Sequence, residues 1–414
     1  MTIETDRRTP DFRAAGAWLR TTPASQSMVY YAAFIALGFA GAVLGPTLPG
    51  LAANTRSQVS QISYLFTAHS LGYLIGSFGA GRFYDRAHLR GHRIMAGMLG
   101  IMAVMMCLIP EIPLLWLLTG AVLVLGSAEG VLDVGGNTLV VWVHGKKVGP
   151  FMNALHFAWG VGAFVAPVFV AQAILRSGNI AWAYWGLALL MLPPAIALLR
   201  VPSPSAPPRA EQEVGQVTGG RLLILVVFFF FLFVGAEHSM GGWITSYGIA
   251  RGLTVANAAY LASAFWGFFT LARALSIPMA RLRPSVVLYG ELAACLVGSV
   301  SLLLWPASTP ALWLGTILFG VGMAAVFPTT VTYASTLMPI TGRVTSWFFV
   351  GASLGGMTIP WVIGQLFQPV GPQAVPLVVS CAILASIVVL LVLSAEGRRT
   401  AAAQAQRPDA VPIE

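Results

Sequence analysis

The sequence predicts an all-α polytopic membrane protein with twelve transmembrane helices in two pseudo-symmetric six-helix bundles. Three observations predict it. Of the 414 residues, 57% are hydrophobic and 9% charged, and the mean hydropathy is +0.80. A soluble domain carries roughly 25% charged residues, so too few charges are present to cover a water-facing surface. The apolar runs are about 20 residues long, the length of a membrane-crossing helix and not of an alternating barrel strand. The positive charges, finally, fall almost wholly on alternate loops.

Breaks at charges, Pro and Gly divide the chain. Residues 1–26 form a polar tail with Arg7, Arg8, Arg13 and Arg20 and no visible cleavable signal. Residues 27–200 hold six apolar segments: 27–51, 58–81, 92–109, 112–143, 149–175 and 179–199. Residues 201–220 form a Pro-, Ser- and charge-rich linker. Residues 221–396 hold six more: 221–249, 255–280, 284–305, 309–337, 342–368 and 374–395. Residues 397–414 form a second polar tail. With the N-terminus inside, nineteen of the 23 Lys and Arg lie inside, three (Arg56, Arg176 and Arg251) lie outside, and Arg273 is intramembrane. This bias places both termini in the cytoplasm of a cell (inner) membrane protein. It also assigns the net charge of +9 to loops facing anionic lipid, not to nucleic acid.

The halves are related by a nearly constant offset. Pro167 aligns with Pro360, Gly162 with Gly355 and Asn137 with Thr330, each 193 residues apart. Asp133 aligns with Val326, so the second half lacks that acid. Two similar halves place a small-molecule site between them, near the midplane.

The fourth segment carries the chemistry. Glu129, Asp133 and Asn137 are spaced by four, which puts them on one helix face. A charge at bilayer depth costs at least about 2.5–3.5 kcal/mol, so such residues face a bundle interior or a wet cavity. Gly126, Gly130, Gly135 and Gly136 let another backbone approach that face. The competing reading is a neutral or paired carboxylate that only ties two helices together. His69 and His156 are intramembrane imidazoles, suited either to proton relay or to a helix–helix hydrogen bond. Cys107, Cys295 and Cys381 give neither a disulfide framework nor metal spacing. No Ser/His/Asp pattern and no phosphate-binding Gly-rich loop is present, so an enzyme is not expected.

The loop at residues 79–93, G-A-G-R-F-Y-D-R-A-H-L-R-G-H-R, resembles the helix 2–3 loop motif of the major facilitator superfamily. That resemblance implies that Asp85 and Arg86 form a cytoplasmic latch. The stretches L-D-V-G-G-N, G-P-F-M-N-A-L-H-F-A-W-G-V-G-A-F-V-A-P, F-V-G-A-E-H-S-M-G-G-W-I and F-W-G-F-F-T-L-A-R-A-L-S-I-P resemble the branch of fucose permeases and sodium-dependent glucose transporters. This implies monosaccharide:cation symport by alternating access. It ties Asp133 to coupling and sugar binding and sets Glu237 and Arg273 on the acid and the Arg of the helix 7 and helix 8 motifs. Glu237 joins the coupling candidates, as does Glu129 from its place on the Asp133 face, and Arg273 either pairs with an acid such as Glu237, as a structural or a gating pair, or caps carbonyls. The fucose permeases also carry an Asp in helix 1, which the first segment here lacks.

Sugar recognition needs amide, carboxylate or imidazole partners for hydroxyls and an aromatic plane for the C–H face. Candidates for hydroxyls are Asn137, Asn153, His156, Glu237 and Gln365. Candidates for stacking are Trp159 and Trp266, with Trp243 and Trp347 behind them. A single buried acid suffices for a proton, whereas sodium needs about five or six oxygens, so the proton is favoured. No cofactor, no resident metal and a monomer are expected. The alternative is a proton-coupled efflux pump for drugs or metabolites on the same fold. Segment 5 lacks the late G-P pair that such pumps favour.

Overall fold

The computed structural model describes residues 22–86, 90–204, 220–276 and 281–405. The helices follow as α1 (Pro23–Thr55), α2 (Val59–Ile62), α3 (Tyr64–Arg86), α4 (Gly91–Leu108), α5 (Leu115–His144), α6 (Gly149–Ser177) and α7 (Ala181–Arg200). The second half continues with α8 (Gly220–Ala250), α9 (Val255–Leu275), α10 (Pro284–Leu304), α11 (Thr309–Met323), α12 (Val326–Ser335), α13 (Gly342–Leu366) and α14 (Ala374–Ala405). No strand occurs among the described residues.

Helix ends follow local chemistry. Thr22 caps α1: its hydroxyl accepts the Ser25 N–H at 3.2 Å, while Ser25 Oγ accepts the Thr22 N–H at 3.2 Å. Pro23 occupies the first turn, where its missing N–H costs nothing. Thr254, Ser308 and Thr341 cap α9, α11 and α13 with one bond each, their hydroxyls accepting the N–H three residues on. Eleven of the described helices, counting α11–α12 as one, are long and apolar enough to cross a membrane. α3 has the length but carries Thr67, His69, Ser70, Tyr73 and Ser77, so its apolar content falls short.

Three segments differ from the sequence expectation. The twelfth, expected over 374–395 ahead of a polar tail, continues as α14 to Ala405. The second is preceded by the separate turn α2 and reaches Arg86. The tenth, expected as one helix over 309–337, is broken between Met323 and Val326. Pro328 explains the break. It has no N–H for the carbonyl four residues back, Ala324 O, and its ring crowds that carbonyl.

Within the first half α3 packs on α5, α1 on α6 and α4 on α7. Within the second α8 packs on α13 and α14, and α10 on α11. The halves meet along α6–α9, α3–α13 and α1–α8. Small residues set the α3–α5 distance. A Cβ at Gly72 or Gly76 would overlap the backbone carbonyls of Leu123 or Ser127, and one at Gly126 or Gly130 those of His69 or Tyr73. Two Gly-x-x-x-Gly pairs thus bring the backbones into contact. His92 ties the other end of the first half, with Nδ1–H donating to Val201 O at 2.7 Å while Nε2 accepts the Tyr30 hydroxyl at 2.7 Å.

Candidate functional site

The α3–α5 contact positions the acids. His69 and Tyr73 lie one turn apart on α3, as Glu129 and Asp133 do on α5, so the backbone register pairs them two by two. His69 Nε2 donates to Glu129 Oε1 at 3.0 Å, and the Tyr73 hydroxyl donates to Asp133 Oδ2 at 2.5 Å. Asn137 Nδ2 donates to Asp133 Oδ1 at 3.0 Å and to Asp133 O at 2.9 Å. Glu129 is buried, whereas Asp133 and Asn137 are half-buried. The polar face read from the fourth segment is therefore a bonded network with an accessible side.

Aromatic groups converge on the same region. A methyl group placed on Gly41 of α1 would lie 3.6 Å from Trp159 and 3.8 Å from Glu129 Oε2, so the indole and the acid face one small residue. Trp159 meets Trp266 edge-to-face, with ring centroids 5.4 Å apart, and Phe269 at 6.4 Å. This places one indole of each half in contact. His156 is half-buried, its ring edge against Phe34 at 6.1 Å, and Asn153 is exposed one turn earlier. On α8, Glu237 is half-buried and the adjacent His238 is exposed mid-helix. His238 Nδ1 donates to Val234 O at 3.0 Å, which leaves Nε2 an acceptor in the neutral ring.

Several expected residues sit elsewhere. Arg273 takes the carbonyl-capping alternative and makes no ion pair with Glu237 within 4.0 Å. Its Nε donates to Ala324 O at 2.9 Å, and its guanidinium lies 4.4 Å from the Phe269 ring centre. Trp243 is fully buried, donates to Pro360 O at 2.9 Å and stacks on Phe367, so it is packing. Trp347 is 47% exposed. The side chains of Asp85 and Arg86 lie outside the described residues.

A family model described as Major Facilitator Superfamily matches residues 30–357. The chain belongs to the major facilitator superfamily. Within it the chain falls in the branch of the sodium-dependent glucose transporters. It is 31% identical over 376 residues to mouse sodium-dependent glucose transporter 1A, covering 81% of this chain and 88% of the mouse protein. It is likewise 31% identical to human sodium-dependent glucose transporter 1, covering 72% of the human protein. Among solved structures, a D-xylose-proton symporter superposes with a TM-score of 0.70 at 15% identity, covering 88% of this chain and 97% of that one. The nucleoside transporter NupG gives 0.67 at 14%, covering 90% and 98%. At these identities the two structures share the fold alone.

In this superfamily fold, Gln365 does not join the polar cluster. Its Nε2 donates to Ser60 O at 2.9 Å and Ser63 Oγ at 3.2 Å, across the halves. Thr67 donates to Met357 O at 3.1 Å and Ser263 to Phe164 O at 2.8 Å, while Gln172 bonds Tyr260. Phe66 packs on Trp243 at 5.5 Å. All these residues lie on the far portion of their helices, away from the described chain ends. The halves are thus closed at that end, and the α6–α9 contact continues past Trp159–Trp266 to Gly160, whose Cβ position is filled by the Thr270 side chain.

Tyr73, His238 and Phe269 escaped the sequence reading. Tyr73 was marked only by its spacing from His69. His238 stood beside Glu237 within a motif already singled out.

Proposed function

We propose that this protein is a monosaccharide:cation symporter that works by alternating access, with a hexose or fucose-like substrate and a proton as the coupling ion. It would sit as a monomer in the cell (inner) membrane with both termini cytoplasmic, and the conformation described is then inward-facing. One observation carries the reading: Asp133, bonded by Tyr73 and Asn137, is half-buried beside the Glu129–Trp159 corner at the interface of the halves. A sugar presents hydroxyls to such a carboxylate–amide pair and a C–H face to an indole.

In this reading Asp133 and Glu129 couple the ion and Glu237 opposes them from α8. Asn137, Asn153 and His156 receive hydroxyls, and Trp159 and Trp266 receive the ring. Binding sugar and proton together neutralises the site, and a neutral site closes at lower desolvation cost. The proton is favoured because a single buried acid suffices to carry it. Tyr73 and Asn137 hold Asp133, and His69 holds Glu129. A sodium shell of about five or six oxygens would require these bonds to break. The names of the mouse and human relatives favour sodium instead.

The test is uptake of radiolabelled glucose and fucose into proteoliposomes under separate proton and sodium gradients. Accumulation driven by the proton gradient alone is the expected result. Accumulation with sodium alone would replace the ion. No accumulation under either gradient would overturn symport.

A further inference from the structure

The break between α11 and α12 falls at the position that the 193-residue offset pairs with Asp133. The first half has an acid there; the second has an interrupted backbone with two freed groups. Pro328 releases Ala324 O, and Arg273 Nε takes it at 2.9 Å. The Ala324 N–H turns back to Val321 O at 3.3 Å, which frees the next N–H, that of Ala325, and the Glu291 carboxylate of α10 lies beside it. Glu291 is 8% exposed, and its Oε2 is buried without a hydrogen-bond partner. An ionised carboxylate with an unsatisfied oxygen at membrane depth is costly, and a proton on that oxygen removes the charge.

The surrounding charges point the same way. Arg273 of α9 lies within electrostatic reach of both Glu291 and Glu237 of α8. From its own helix Glu291 is faced by Cys295. α11 brings no titratable side chain, and α12 brings only Tyr333, which donates to Ser394 of α14 at 3.0 Å. Further along α14, Glu396 meets Arg221 at 2.9 Å and Arg399 at 3.5 Å. One fixed cation among two acids is neutral only when one acid holds a proton.

We propose that Glu291 is a second proton-carrying residue, housed at the α11–α12 break of the C-terminal half and independent of Asp133. Its part in a transport cycle rests on the symport reading, but its protonation does not. Glu291→Gln suits the test because the amide keeps the shape of the acid and an oxygen toward the Ala325 N–H while the titration is removed. Purified wild type and E291Q are titrated unbuffered from about pH 4.5 to about pH 9.5, a range that spans shifted carboxylates. Over that upward titration wild type should release about one proton more than E291Q, with similar thermal unfolding midpoints. Identical release overturns the proposal. If E291Q does not fold, wild type is treated with dicyclohexylcarbodiimide, which attacks protonated buried acids. Label on Glu291 at low pH that fades as the pH rises supports the proposal, and its absence from Glu291 at every pH overturns it. Neither readout uses sugar, so failed glucose uptake and failed protonation are told apart.

Discussion

Asp133 receives one donor on each carboxylate oxygen, and the two donors differ in origin. Asn137 is its own-helix neighbour, legible in the sequence as a four-residue spacing. Tyr73 comes from α3 and depends on the register between two helices, which a linear pattern does not encode. Each donor has its own expected effect. Asp133→Asn should abolish uphill accumulation of sugar in proteoliposomes while leaving counterflow exchange, since exchange requires no net ion movement. Tyr73→Phe removes one hydrogen bond to an ionised group, worth about 1.5–3 kcal/mol. The accumulation rate should therefore fall about tenfold or more, with no loss of folded protein by size-exclusion chromatography. Glu291 illustrates a different failure of reading. As an acid in an apolar run it was visible in the sequence, but its significance depends on a break in another helix. Gln365 was singled out as an amide at depth, yet the end of the molecule at which it sits makes it a closing contact rather than a pocket wall.

At the scale of elements, apolar run length located the helices because the bilayer imposes one length on every crossing. It did not locate the α11–α12 break. The sequence G-M-A-A-V-F there is apolar and compatible with a helix, and only Pro328 signals the interruption. The glycines of segment 4 were legible as permitting close approach, but not which helix would approach. That contact is directly testable. Gly126→Ala would drive a Cβ into the His69 carbonyl, an overpacking that costs about 1–3 kcal/mol. The thermal midpoint of the solubilised protein should fall by several degrees, and uptake should fall with it as His69 is pushed from Glu129. Gly120→Ala on the same helix meets nothing within 4 Å and should leave both unchanged.

For the whole molecule, the six-plus-six division was legible through the linker and the constant offset between halves. Which end stands open was not, because each conformation satisfies the same hydrophobic pattern. The closed end is held by few hydrogen bonds, so its equilibrium is easily biased. Gln365→Ala removes two bonds, from α13 to Ser60 of α2 and to Ser63 just before α3. At about 0.5–1.5 kcal/mol each, their loss should shift the population about tenfold toward the state open at that end. Spin labels at residues 58 and 368 should then report a longer mean distance. Unchanged distances would mean that the aromatic contacts alone keep this end shut.

The edge-to-face meeting of Trp159 and Trp266 has a practical corollary. Each indole is anchored to a different rigid body, so separating those bodies at the closed end must alter the spacing and solvation of the pair. In a background where the other ten of the 12 tryptophans are Phe, near-ultraviolet emission would track the motion without an attached dye. The protein carries its own optical clock, readable by stopped-flow on the timescale of a single turnover.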